Sequence, residues 1–308
     1  MYLRAMEMLV EKRGKSFVPV FADTGNEHPA TLEYVKNFHS LTGGPQVQFV
    51  KADFTKRIAR KREYILKHWE KDEVPEDKVR QALEVLHPTG VPFLDLCLWK
   101  GKFPSRVSQF CTEELKGAPI ADQIKKPIIQ GGGVVLSWQG IRAEESPKRA
   151  AAPRFEMVSR THWIFRPVLR WGVPEVFAIA RKHGLPPNPL YKNGMGRVGC
   201  MPCVNATKSE IRQIGLRYPE HFERIAQWEE LVSWASKWGC STFFAVPVKK
   251  GRFKGIDPAT IHYKTHGIAE QFEWSKTARG GRQFDLNVAN DEYEASVNFC
   301  KSLYGLCE

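Results

Sequence analysis

Cys200 and Cys203 stand in the run Arg197-Val198-Gly199-Cys200-Met201-Pro202-Cys203. Two thiolates at that spacing grip one metal ion or one edge of a cluster. Cys111 is the expected third ligand and Cys240 the expected fourth, with Cys300 and Cys307 as alternatives for the fourth. Four thiolates suit an iron–sulfur centre or a tetrahedral zinc. A 4Fe-4S cluster is the first expectation, unmetallated thiols the second, and zinc, the alternative metal, the third. Cys97, between Leu96 and Leu98, reads as a buried core thiol.

Two further constellations carry charge suited to a phosphorylated ligand. Asp23-Thr24-Gly25-Asn26-Glu27 offers two carboxylates for ribose hydroxyls or a magnesium ion, since hard cations prefer such oxygens. The same residues are also good turn formers. Gly140-Ile141-Arg142-Ala143-Glu144-Glu145-Ser146, with Lys148 and Arg149 behind it, places guanidiniums beside an acidic pair. Arg142 there is a candidate phosphate or sulfate clamp, because a guanidinium pairs with such oxygens bidentately. Lys276, Arg279 and Arg282, with Gly280 and Gly281, form a basic glycine-rich stretch able to wrap a phosphate.

These residues must be positioned by strands alternating with helices. Residues 17–21 form a short apolar run that reads as a buried strand. Residues 31–41 carry Leu32, Val35, Phe38 and Leu41 on one helical side, and Gly43-Gly44 ends them. A second strand is expected at 47–50, a basic helix at 55–71, another helix at 76–86, and a third strand at 134–138. Alternation of this kind implies one parallel sheet with crossover helices, whose ligands bind beyond the carboxyl ends of the strands. The 23–28 and 140–146 stretches both sit at such ends. Beyond residue 151 the texture becomes helical. Pro174 opens a helix closed by Gly184, and further helices are expected at 209–216 and 220–237. Residues 246–285 read as irregular. The expected division is a nucleotide-binding core over 1–150 and a cysteine-bearing helical region over 151–308.

Several separated stretches resemble the phosphoadenosine-phosphosulfate (PAPS) reductase family, within the adenine-nucleotide alpha-hydrolases and ATP pyrophosphatases. They are Asp23 to Pro29 with Thr31 to Val35, Phe110-Cys111-Thr112-Glu113-Glu114-Leu115-Lys116 leading to Pro119, Gly140 to Ser146 with Arg149, Arg166-Pro167 with Trp171, Asn188 to Tyr191, Arg197 to Cys203, and, most weakly, Trp274 to Gln283. The resemblance implies an α/β fold and an adenine nucleotide, ATP or PAPS, beside Asp23, Thr24, Gly25 and Glu27, with Gly140, Arg142, Glu145, Arg149, Arg279 and Arg282 as further contacts. The 140–149 and 197–203 stretches are closer to the iron–sulfur branch that handles ATP and sulfur than to the plain assimilatory reductases. Those reductases carry Glu-Cys-Gly-x-His near the C-terminus. This chain has Gly305-Leu306-Cys307-Glu308 instead, which leaves Cys307 as the one candidate catalytic thiol. The family's Ser-Gly-Gly-type phosphate loop would lie before Met1, and residues 1–10 read as the helix that follows it.

Composition fits this picture. The chain has 308 residues and 46 Lys and Arg against 34 Asp and Glu, for a net charge of +12. That favours a polyanionic partner: a nucleotide, a phosphosulfate or a nucleic acid acting as sulfur acceptor. Trp69 and the basic helix before it could contact nucleic acid, although a solvated helix face accounts for the same pattern. No run approaches the roughly 18 apolar residues needed to span a bilayer, and residues 1–15 carry no signal-peptide pattern. Seven widely spaced cysteines argue for reduced thiols or ligands rather than a disulfide framework. A cytoplasmic enzyme of sulfur metabolism is therefore expected, either reductase-like or sulfurtransferase-like. The alternative is a nucleotide- or nucleic-acid-binding protein without catalysis.

Overall fold

In a computed structural model of the chain, residues 1–246, 255–257 and 260–277 are described. Five short strands appear among them: β1 (Val20–Asp23), β2 (Gln48–Lys51), β3 (Val135–Trp138), β4 (Phe155–Ser159) and β5 (His162–Phe165). They form two sheets rather than the single parallel sheet expected. β1 pairs in parallel with β2, Val20 opposite Gln48 and Asp23 opposite Lys51. The second sheet runs β3-β5-β4, with β5 parallel to β3 and antiparallel to β4. The chain is thus mixed α/β, mostly helical, with small parallel and mixed sheets. The β3–β5 ladder also runs across the division expected at residue 150. The hairpin was hidden because Arg154, Glu156 and Arg160 interrupt its apolar alternation.

Helix ends follow local chemistry. Proline occupies the first turn of Pro29–Lys36, Pro92–Lys100, Val173–Lys182 and Pro219–Ala235, where its missing N–H costs nothing. Thr207 caps Lys208–Arg217 reciprocally: its hydroxyl accepts from Glu210 N at 3.2 Å and Glu210 accepts from Thr207 N at 2.7 Å. Residues 110–130 form one continuous helical rod with two π-helical turns, Glu113–Gly117 and Ala121–Lys125. Each π turn directly precedes a proline-bearing turn, with Pro119 in one and Pro127 in the other. A proline removes a donor and crowds the carbonyl four residues back, and a wider turn relieves both. Cys111 rides on the first turn of this rod.

The core gathers Ile58 and Ile65 of Thr55–His68, Phe93 to Leu98 of Pro92–Lys100, Leu115, and Ile225, Trp228 and Val232 of Pro219–Ala235. Trp69 belongs to it, at 2% exposure. It therefore presents no ring for a base to stack on, contrary to the nucleic-acid reading of this helix. Glu229 is 1% exposed, and its two oxygens accept from Phe243 N at 2.7 Å and Ile268 N at 2.9 Å. This one side chain ties Pro219–Ala235 to two later segments. Residues 263–275, expected to be irregular, form the helices Tyr263–His266 and Ile268–Ser275.

Candidate functional site

β1 ends at Asp23, and the chain turns sharply there. Asp23 accepts from Gly25 N at 2.9 Å and pairs with Lys51 of β2 at 2.9 Å. Gly25 has φ +76°, and a Cβ on it would lie 2.9 Å from Val91 Cγ1. Only glycine fits both the backbone and the space. Thr24, fully buried, donates from its hydroxyl to Glu27 Oε1 at 2.7 Å and from its N–H to Oε2 at 3.0 Å. Both carboxylates expected to meet ribose or magnesium thus enter the loop's own bonding.

The loop is stitched directly to the cysteine pair. Glu27 and Cys200 form an isolated antiparallel β-bridge. Met201 N donates to Asn26 O at 2.7 Å, and Asn26 Nδ2 donates to Pro202 O at 2.9 Å. Cys200 Sγ lies 3.7 Å from Thr24 Oγ1 and 3.8 Å from Glu27 Oε1. From the other side, Arg224 donates to Asn26 Oδ1 at 2.8 Å and to Met201 O at 3.0 Å.

Cys111, Cys200 and Cys203 share one electrostatic neighbourhood. Burial pushes the Cys200 thiol up to about 11, and the Glu27 charge adds to that, while Lys116 and the Thr24 hydrogen bond oppose it. Cys111 is likewise raised, first by burial and then by Cys203, with Lys116 opposing. Lys116, exposed on the 110–130 rod, is thus the cation that faces both thiols. Cys97 is buried as expected and feels the charge of Cys111. Cys240 lies instead beside Lys78. Cys300 and Cys307 fall outside the described residues, as do Arg279 and Arg282.

The 140–149 stretch follows β3. Ala143–Glu145 forms a single 3-10 turn and Pro147–Ala150 a short helix capped by Ser146. Arg142 pairs with Glu144 and lies 3.5 Å from Glu145, and Arg149 pairs with Glu145. Burial lowers the Arg149 pKa, and the nearby charges of Arg197 and Arg142 lower it further. Arg142, Arg149 and Arg197 therefore lie within electrostatic reach of one another, with Glu144 and Glu145 paired to the first two, and Arg197 is three residues from Cys200. Gly140 packs against Met1.

Sequence reasoning did not pick out the roles of Lys116, Asn26, Arg197 or Arg224. The first three lie inside motifs already noted, so their proximity to the thiols was a readable signal. Arg224 lies in a long helix with no local signal. A further cluster, His28, Glu220 and His221, brings its donor atoms within 4.8 Å of one another. His28 Nδ1 accepts from Ala30 N at 3.0 Å, so its proton sits on Nε2. Arg224 lies beside His221, 2.9 Å from Nδ1. A cation is poorly served by that tautomer and that neighbour.

Residues 4–206 match the phosphoadenosine phosphosulfate reductase domain. The chain belongs to that family. Among its relatives is an uncharacterised 37.8 kDa protein of Escherichia phage 186, 44% identical over 303 residues, which cover 94% of this chain and 88% of the phage protein. The adenosine 5'-phosphosulfate reductase of Allochromatium vinosum is 38% identical over 68 residues, covering 22% of this chain and 27% of that enzyme. The reductase of the same name from Streptomyces coelicolor is 31% identical over 81 residues, 26% of this chain and 34% of that enzyme. The likeness to these reductases is thus local. Among the described residues no helix is long and apolar enough to cross a membrane.

Proposed function

We propose that this PAPS reductase-domain protein is an adenine-nucleotide-dependent enzyme of sulfur chemistry. The carrying observation is the junction of the 23–27 loop with the Cys200 loop: the turn read as nucleotide-binding and the thiol pair share a β-bridge and a buried carboxylate. A nucleotide at the ends of β1 and β3 would lie between that junction and the Arg142, Arg149 and Arg197 guanidiniums. In a reductase-like reaction the guanidiniums hold the sulfonate while a thiol attacks its sulfur. The sulfur–oxygen bond to the nucleotide breaks as the sulfur–sulfur bond forms. In a sulfurtransferase-like reaction the same cations hold the phosphates of ATP while an acceptor oxygen attacks the α-phosphate and releases pyrophosphate; a sulfide-level donor then displaces AMP, which carries that oxygen away.

Cys111, Cys200 and Cys203 are the residues that would hold an iron–sulfur cluster. Their donor set suits it: the charge of Cys203 acts on both Cys111 and Cys200, and thiolates gathered this way suit an iron–sulfur centre, with a tetrahedral zinc as the alternative. A cluster held there would supply an electron store beside the nucleotide. Lys116 would offset the charge of the ligating thiolates, and the Glu27–Cys200 backbone bridge fixes where Cys200 sits, while the Glu27 charge works against the thiolate.

The test is calorimetric titration of the anaerobically purified protein with PAPS, with adenosine 5'-phosphosulfate and with ATP, for the parent and for Arg197→Glu. Binding of one nucleotide, weakened at least tenfold by the charge reversal, is the expected result. Absence of binding to all three refutes the proposal. A second reading, binding without turnover, draws on the internal pairing of Arg142 and Arg149 with Glu144 and Glu145. Nucleotide binding without release of sulfite or pyrophosphate would favour it.

A further inference from the structure

The β3-β5-β4 sheet leaves one of its faces largely open. Strand registers place Leu136 beside Trp163, Trp138 beside Phe165, Phe165 opposite Phe155, and Trp163 opposite Met157. Paired residues point to the same side of a sheet, so these six share one face. The aromatic rings touch in a continuous array: Phe155 stacks on Trp163 at 5.3 Å, lies 6.2 Å from Phe165, and Phe165 meets Trp138 edge-on at 5.0 Å. Yet Leu136, Phe155 and Met157 are 47%, 53% and 60% exposed. The opposite face behaves differently: Ile164 is buried, and Glu156 is tied to Arg166.

The border of this open face is cationic. Arg154 directly precedes β4 and holds its guanidinium 5.8 Å from the Phe165 ring. Arg160 sits in the β4–β5 turn. Both are exposed, and neither has an acidic partner among the described residues. Glu156, the acid carried by these strands, is spent on the other side. Aromatic side chains on a sheet, bordered by unpaired arginines, suit stacked bases with phosphates at the margin. Strand spacing sets Leu136 and Met157, which flank Trp163, about 10 Å apart, and Phe155 lies two residues along from them, so the face has room for two bases. A second copy of the chain fits less well, because each copy carries a net +12 and would bring its arginines against like charge.

We infer that the Leu136, Phe155, Met157 and Trp163 face is a binding platform for single-stranded nucleic acid. It names the acceptor class for the proposed sulfur chemistry and rests on that proposal for this role alone. Binding itself does not require the nucleotide site. The test is fluorescence anisotropy of a labelled oligothymidylate or oligouridylate of about a dozen nucleotides, titrated with the full chain at low and moderate salt. Micromolar or tighter binding is expected, with quenching of tryptophan fluorescence. Phe155→Ala should weaken it about tenfold, and the combined Arg154→Glu, Arg160→Glu variant should abolish it at moderate salt. Both changes lie on the surface, and circular dichroism checks the fold. Oligonucleotide affinity should be the same with and without saturating ATP or adenosine 5'-phosphosulfate, whether or not the sulfur chemistry holds. The inference is overturned by absence of binding at low salt or by equal affinity for the parent and Phe155→Ala. A concentration-dependent dimer that Phe155→Ala dissociates would overturn it as well.

Discussion

Glu229 and His221 lie eight residues apart on one helix and should give this protein two opposed pH dependences of stability. Burial raises the Glu229 carboxyl from 4.5 to about 7, although two backbone N–H groups pull the other way. Between these values the unfolded chain has released the proton and the folded chain still holds it. Stability from this group is complete below pH 4.5 and is lost as pH rises through 7. A shift of this size is worth about 3 kcal/mol at about 1.4 kcal/mol per unit. His221 is driven the other way, from 6.5 to about 4, first by burial and then by the Arg224 charge. Its contribution is present above pH 6.5 and is lost as pH falls through 4, again by about 3 kcal/mol. Over the shared window these two slopes nearly cancel, leaving the parent only the further rise with pH that comes from His28 and His162, whose pKa values burial also lowers. Glu229→Gln uncovers the His221 slope: urea stability followed by tryptophan fluorescence should rise by about 3 kcal/mol from pH 4 to 6.5. Glutamine has one oxygen where Glu229 used two, so a uniform loss of about 1–3 kcal/mol is superimposed. His221→Asn should give the mirror profile, falling from pH 4.5 to 7. If the pH profile of Glu229→Gln runs parallel to the parent's, the assignment of Glu229 as a buried, protonated carboxyl is refuted.

Gly25→Ala should lower thermal stability and weaken any nucleotide binding together, because the new methyl meets Val91 and Pro92 at a positive φ. Normal nucleotide affinity in that variant, by calorimetry, would separate the loop from the ligand. Arg166→Ala should cost about 2–4 kcal/mol in urea unfolding. It strips donors from Gln139 Oε1 at 3.0 Å, Pro153 O at 2.7 Å and Glu156 at 2.7 Å. A loss below about 1 kcal/mol would mean that water replaces those bonds.

Much of the site was legible in local spelling, since turn chemistry and cysteine spacing act over a few residues. The Asp23 to Glu27 turn, the Cys200-x-x-Cys203 pair and the helix starts marked by Pro29, Pro174 and Thr207 all follow from such short-range rules. β1, β2 and β3 were found to within a few residues, as were the helices expected at 31–41, 55–71 and 76–86; the 110–130 rod was not among the expected elements. The Pro92–Lys100 helix and the β4–β5 hairpin were not. The first is nearly all apolar and carries no helical period. The second breaks its alternation with charges whose partners are distant in sequence.

The sequence by itself determined the family, the thiol pair and the charged stretch over 140–149. Only the tertiary structure decided how they meet. It turned Glu27 inward onto Cys200, where a sequence reader sees a free carboxylate. It placed Cys97 rather than Cys240 next to Cys111, brought Arg197 to Arg149, and buried Trp69. Each of these depends on which elements pack against which, and packing joins residues up to nearly two hundred positions apart, as with Asn26 and Arg224. No local pattern encodes such a pairing, because the energy that selects it is shared across the whole core.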